Sequence, residues 1–267
     1  MIERHVVRLV VPGIDVAVLR GGEGTTVVYL HGLQGVTPDD PLLLALAERF
    51  HVVAPVCPGF TDLDDIDDVR DVHDLALLYD DLLGVLGLDA VPVVGHSLGG
   101  MVAAELAAHV PHRVSRLVLA APFGMWRDDQ QTADVFTAYP LGIHDLLWLD
   151  PSSPAAEAAA AAMARAEEPD VDDALLAALL GMARGMTTAG KFLWPLPDRG
   201  LERRLHRVAA PTLLVWGAKD VVVPLGHAAL FAARLARATV EVLDEAGHMA
   251  PYEQPARFID LVAAAVD

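Results

Sequence analysis

Two kinds of apolar pattern alternate along this chain. Short runs rich in β-branched residues recur with longer stretches of helical periodicity between them, which is how a parallel sheet with crossover helices reads in sequence. The opening runs Val6-Val7-Arg8-Leu9-Val10 and Ile14-Asp15-Val16-Ala17-Val18 alternate, and Pro12-Gly13 between them predicts a hairpin. Nearly continuous apolar runs follow at Thr26–Leu30, Val52–Ala54, Val91–Val94, Leu117–Ala120, Thr212–Trp216 and Val240–Leu243. Strands of that kind belong where helices cover both sheet faces. Helices are expected at Pro41–Arg49, at Val72–Leu86 (apolar at Leu75, Leu78, Tyr79, Leu82, Leu83 and Leu86), directly after Ser97, and at Pro255–Val266. The alternation stops between Phe123 and about Leu201. There only helix-like periodicity remains, around Ala155–Ala166 and Val171–Met182, which predicts a helical insertion between two core strands.

Composition narrows the function classes. The 267 residues are 54% hydrophobic and 21% charged, ample for a single large core. A net charge of −18 argues against nucleic acid and anionic membranes as partners, since both would be repelled. Cys57 is the sole cysteine, so no internal disulfide can form. The start, Met1-Ile2-Glu3-Arg4-His5-Val6, lacks the apolar core of a secretory signal. The alanine-rich stretch Ala155–Ala166 is short of the roughly 20 residues a membrane span needs. The expected location is cytoplasmic. The acidic run Asp62–Asp74 reads as a solvated loop and helix start, and no cluster at metal-ligand spacing is evident, so neither metal nor organic cofactor is expected.

The chemistry gathers around Gly95-His96-Ser97-Leu98-Gly99. This is a G-x-S-x-G match lying between a predicted strand and a predicted helix, the setting that places a serine on a sharp, strained turn. Glycines two residues to either side leave room for neighbouring chain, and the helix N-terminus behind supplies partial positive charge where an oxyanion forms. A serine needs a base, and the base an orienting acid. Of eleven histidines, His248 stands just past the last predicted strand, where catalytic loops gather. His96 neighbours Ser97, but adjacent residues on a tight turn point apart. His31 opens a loop in which backbone shape is the expected role. His109, His112, His206 and His227 fall on helical or connecting segments and read as surface residues. Asp220 follows the strand Thr212–Trp216 and gives the order Ser97, Asp220, His248. Oxyanion donors are expected from the backbone N–H of Leu98 and of Leu33 in the loop His31-Gly32-Leu33-Gln34-Gly35.

These motifs resemble the α/β-hydrolase superfamily over essentially the whole chain. They include the Ala54-Pro55-Val56-Cys57-Pro58-Gly59-Phe60 loop, the Gly95–Gly100 elbow, the Pro211–Asp220 block and the ending Gly247-His248-Met249-Ala250-Pro251-Tyr252-Glu253-Gln254-Pro255. The resemblance implies an α/β fold with a mostly parallel eight-stranded sheet, helices on both faces and a helical cap after the sixth strand. Residues 1–122 and 201–267 form the core in that reading, and 123–200 the cap. Serine at position 97 sets aside relatives whose nucleophile is aspartate. The implied activity is hydrolysis of a carboxylic ester of a small to medium, mostly apolar substrate through an acyl-enzyme. C–C bond cleavage of ring-fission diketones and lactone hydrolysis stay open, as does a non-catalytic small-ligand receptor. His96 stands where the C–C hydrolases commonly carry asparagine, although Arg184, Lys191 and Arg199 in or near the cap offer charge for a carboxylate. Gln34, Phe123, Trp126, Trp194 and Met249 are the candidate pocket residues. The expected partner is a small molecule, and monomer and homodimer are both compatible.

Overall fold

The computed structural model describes residues 1–10, 13–61, 66–166, 172–196 and 199–266. Its elements, in chain order, are β1 (Glu3–Arg8), β2 (Asp15–Gly21), β3 (Thr26–Leu30), α1 (Pro41–Ala47), β4 (His51–Pro55), α2 (Val72–Val85), β5 (Val91–His96), α3 (Leu98–His109) and β6 (Val114–Ala120). Then come α4 (Val135–Ala138), α5 (Ile143–Leu147), α6 (Pro154–Ala164), α7 (Asp173–Leu193), β7 (Thr212–Gly217), α8 (Gly226–Arg234), β8 (Ala238–Leu243), α9 (Ala250–Glu253) and α10 (Pro255–Val266).

The strands form one eight-stranded sheet in the order β1-β2-β4-β3-β5-β6-β7-β8. The β1/β2 and β2/β4 pairs are antiparallel and every later pair is parallel. The strand period of two divides the core in half. Val28, Leu30, Val93, Leu117, Leu119, Leu214 and Trp216 face one side, where Leu75 and Leu82 of α2 and Met101 and Leu106 of α3 cover them. Val27, Tyr29, Val94, Val118 and Val215 face the other, beneath Leu42 and Leu46 of α1 and Phe258 and Val262 of α10. That two-sided cover is why β5 and β7 are buried along their whole length and carry no polar alternation. At the edges β1 is largely exposed and β8 partly so, as strands with one solvated face should be.

The segment between β6 and β7 contains only helices among its described residues. Its last helix, α7, runs on to Leu193, eleven residues beyond the expected Met182, while Val171 at the expected start lies outside the described residues. Gly181, Gly185 and Gly190 disguise this continuation in sequence. The structure gives Gly185 a reason: a side chain there would lie 2.9 Å from the Phe60 ring. Thr188 Oγ1 donates to the Gly59 carbonyl and Lys191 Nζ to that of Ile66, so α7 is fastened to the loop after β4. Pro12 of the expected hairpin and Asp62–Asp65 of the acidic run lie outside the described residues. Among the described residues no helix is long and apolar enough to cross a membrane.

Candidate active site

Ser97 lies between β5 and α3 with φ 57° and ψ −118°, a region that non-glycine residues reach only under constraint. The constraint is visible around it. A Cβ on Gly95 would lie 2.5 Å from the Gly99 carbonyl, and one on Gly99 only 2.1 Å from that of Leu30. Strand and helix therefore cross at a spacing that only glycine permits on both sides of the serine. The turn is further fixed by Ser97 N–H donating to Ala120 and by Met101 and Phe123 N–H donating to the Ser97 carbonyl.

His248 Nε2 stands 2.9 Å from Ser97 Oγ, and His248 Nδ1 stands 2.9 Å from Asp220 Oδ2. The second oxygen of Asp220 accepts from the N–H groups of Val222 (2.8 Å) and Val223 (2.9 Å), which locks the carboxylate plane. Residues 151 positions apart in sequence thus meet in one hydrogen-bonded line at the C-terminal ends of β5, β7 and β8. The loops that carry Asp220 and His248 are joined directly. Lys219 N–H donates to Ala246, and Gly217 passes so close to Gly247 that a Cβ there would fall 2.2 Å from its carbonyl oxygen. The line is buried: Ser97 is 1% exposed and His248 fully enclosed.

The loop after β3 closes over the serine. A Cβ on Gly32 would lie 3.1 Å from Ser97 Cβ, so the backbone leading into Leu33 runs against Ser97. Among the described residues, neither Leu33 N–H nor Leu98 N–H has a protein acceptor. Two free donors beside a serine are what a developing oxyanion requires.

Several supports were not legible beforehand. His96 points beneath the site, and its Nε2–H donates to the His248 carbonyl at 3.0 Å, so the residue before Ser97 holds the loop of His248. Burial lowers its pKa to about 3. His31 acts through its side chain as well as its backbone: Nδ1 donates to the Gly32 carbonyl, Nε2 accepts from Cys57 N–H, and burial lowers its pKa to about 4. Glu253 grips the other side. Its two oxygens accept from Leu149 N–H and Gly247 N–H, each at 2.6 Å, while burial raises its pKa. His227, expected at the surface, is buried instead, with Nε2 against the Gln130 carbonyl, because α8 turns it inward onto the segment after β6.

The candidate pocket residues separate. Phe123 packs edge-on to His248, ring centroids 5.7 Å apart. Gln34 donates to the Tyr252 hydroxyl, which donates in turn to Asp40, so its side chain is anchored at the end of the loop after β3. Met249 packs with Trp148 and Ala156. Trp126 is half-buried and bonds Asp128. Trp194 is 54% exposed and, with Asp134, Phe136, Thr137 and Gly190, lines an open cavity that no residue of the Ser97 line reaches. Of the cations in the inserted segment, Lys191 and Arg199 donate to backbone carbonyls and Arg184 faces solvent.

Known proteins resemble this chain over most of its length. The profile of the alpha/beta hydrolase family matches residues 27–261. An uncharacterised protein of Mycobacterium tuberculosis is 31% identical over 266 residues, covering 92% of this chain and 76% of its own. The 2-hydroxy-6-oxo-6-phenylhexa-2,4-dienoate hydrolase of Burkholderia cepacia is 26% identical, covering 89% of this chain and 86% of its own. A pimeloyl-[acyl-carrier protein] methyl ester esterase of Aromatoleum aromaticum is 35% identical over 181 residues, 65% of this chain and 72% of its own.

Proposed function

The chain belongs to the alpha/beta hydrolase family, and on that premise we propose that it hydrolyses a carboxylic ester through an acyl-enzyme on Ser97. The observation that carries this reading is the line of two 2.9 Å contacts from Asp220 through His248 to Ser97. His248 Nε2 takes the hydroxyl proton as Oγ attacks the ester carbonyl, and Asp220 steadies the imidazolium through Nδ1–H. The N–H groups of Leu33 and Leu98 receive the oxyanion. The proton then passes from His248 to the departing alcohol, and a water activated by the same nitrogen releases the acid.

Residues 123–200 serve as a cap over a core of 1–122 and 201–267 in this reading, with Phe123 and Gln34 the pocket candidates nearest the reacting atoms. Ester cleavage is preferred to C–C cleavage of a carboxylate-bearing diketone because Lys191 and Arg199 are engaged by backbone carbonyls. The substrate is a small molecule, and a cytoplasmic setting fits the single reduced cysteine.

The test pairs wild type with Ser97→Ala on p-nitrophenyl esters of graded chain length, a lactone and a dienol-diketone. Wild type should cleave the esters, Ser97→Ala should lose about 10³-fold or more of kcat, and a fluorophosphonate should add once, at Ser97. Ester turnover surviving in Ser97→Ala would sink the proposal. Faster decay of the diketone than of any ester would move it to C–C chemistry.

A further inference from the structure

A second group of chemically capable side chains lies away from the Ser97 line, where α2 meets α3. His73 is in the first turn of α2, and Glu105 and His109 are four residues apart on α3, hence on one face of that helix. His73 Nδ1 is 3.0 Å from His109 Nε2, so one imidazole donates to the other. Glu105 Oε2 lies 3.7 Å from His109 Nε2 and 3.9 Å from His73 Nδ1. Those separations are too long for hydrogen bonds, yet both nitrogens converge on the same oxygen.

The spacing has a simple geometric reading. The three donor atoms lie 3.0, 3.7 and 3.9 Å apart, bracketing the roughly 3.4 Å between ligands held about 2.1 Å from a tetrahedral zinc. We propose that His73, Glu105 and His109 form a binding site for a zinc-class divalent transition metal, with water as the fourth ligand. Two imidazoles and one carboxylate suit zinc and its neighbours better than calcium or magnesium, which prefer oxygen donors. The imidazole that now donates shifts its proton to its other nitrogen, so both rings ligate in neutral form.

The surroundings bear on affinity in both directions. Glu105 is fully buried, and Arg204 donates Nε to Oε2 (2.7 Å) and Nη2 to Oε1 (2.6 Å). The guanidinium fixes the carboxylate and leaves Oε2 a further lone pair, but its charge weakens the hold on a cation. Against that, His109 is in the last turn of α3, where the helix dipole favours positive charge, and the whole chain is strongly acidic. Both histidines are partly exposed, so an ion has a way in. The bound ion would clamp the start of α2 to the helix that carries Ser97, about 12–18 Å along α3 from the nucleophile. Its effect is on rigidity and stability and not on the chemical step.

The experiment titrates zinc into chelator-treated full-length protein, following heat of binding and Tm. One zinc per chain is expected, with Tm rising by about 5 °C at a hundredfold excess over Kd. His73→Ala and, separately, His109→Gln should each weaken binding at least about tenfold and cut the Tm rise to about half or less. Two variants are used so that one remains readable if the other folds poorly. On the wild type alone, cobalt(II) should give the intense visible absorption of a four-coordinate site. Zinc isotherms unchanged in the variants, no saturable binding below about millimolar zinc, or only the weak spectrum of six-coordinate cobalt would each overturn the site.

Discussion

Replacing Gly32 by alanine isolates the oxyanion loop from the rest of the fold. Gly32 is outside the left-handed region, so alanine meets no backbone penalty there. What it meets is crowding: the new Cβ would lie 2.7 Å from Gln34 Oε1, 3.1 Å from His96 Nδ1 and 3.1 Å from Ser97 Cβ. The Gln34 amide can swing away, but Ser97 is held by its turn and His96 by its bond to His248. Carbon atoms rest at about 3.5 Å or more, so the loop must retreat by roughly 0.4 Å, and Leu33 N–H retreats with it. One oxyanion donor is worth about 10²–10³ in kcat, and a partial displacement forfeits a good share of that. Gly32→Ala should therefore lose about 10- to 100-fold in kcat on a p-nitrophenyl ester with KM nearly unchanged. Overpacking of about 1–3 kcal/mol should lower Tm by only about 2–8 °C. A folded Gly32→Ala enzyme with wild-type kcat would refute the assignment of Leu33 as a donor.

The two buried histidines make stability sensitive to acid. Burial holds the pKa of His31 near 4 and that of His96 near 3, against 6.5 for an exposed ring. Unfolding below pH 6.5 therefore takes up a proton at each, so their contribution is complete above pH 6.5 and is lost as pH falls toward 4 and 3. With both engaged the slope approaches about 2.7 kcal/mol per pH unit near pH 5. Urea melts at pH 7.5, 6 and 5 check this, and a flat profile contradicts it. Cys57 is buried and its thiol is pushed up to about 12, so a disulfide reagent should label it only as fast as the chain opens. Rapid labelling of native protein would show that the loop after β4 opens independently.

What sequence conveyed well was whatever a short stretch encodes by itself. Glycines around Ser97 announce a tight crossing, and runs such as Val91–Val94 announce a strand covered on both faces. What it conveyed poorly depends on partners distant in the chain. His96 looks like a spacer until the His248 carbonyl is placed 152 residues away. His227 resembles any helical surface residue until Gln130 meets it. The glycines of α7 read as breakers, since the Phe60 ring that requires one of them belongs to a loop 125 residues earlier. Trp194 illustrates the converse: large apolar residues at a boundary suggest a pocket, but which cavity they line is a property of the assembled fold.

The grip of Glu253 has a mechanical consequence. One carboxylate restrains Leu149, in the inserted helical segment, and Gly247, next to the base, while Met249 N–H reaches back to the Leu147 carbonyl. Residues 147–149 and 247–249 therefore travel as a single linkage. A displacement that carries the first outward loads the second, and the imidazole can leave its alignment without any change in the serine turn. Any movement of residues 147–149 therefore pulls on the loop that carries His248 as well.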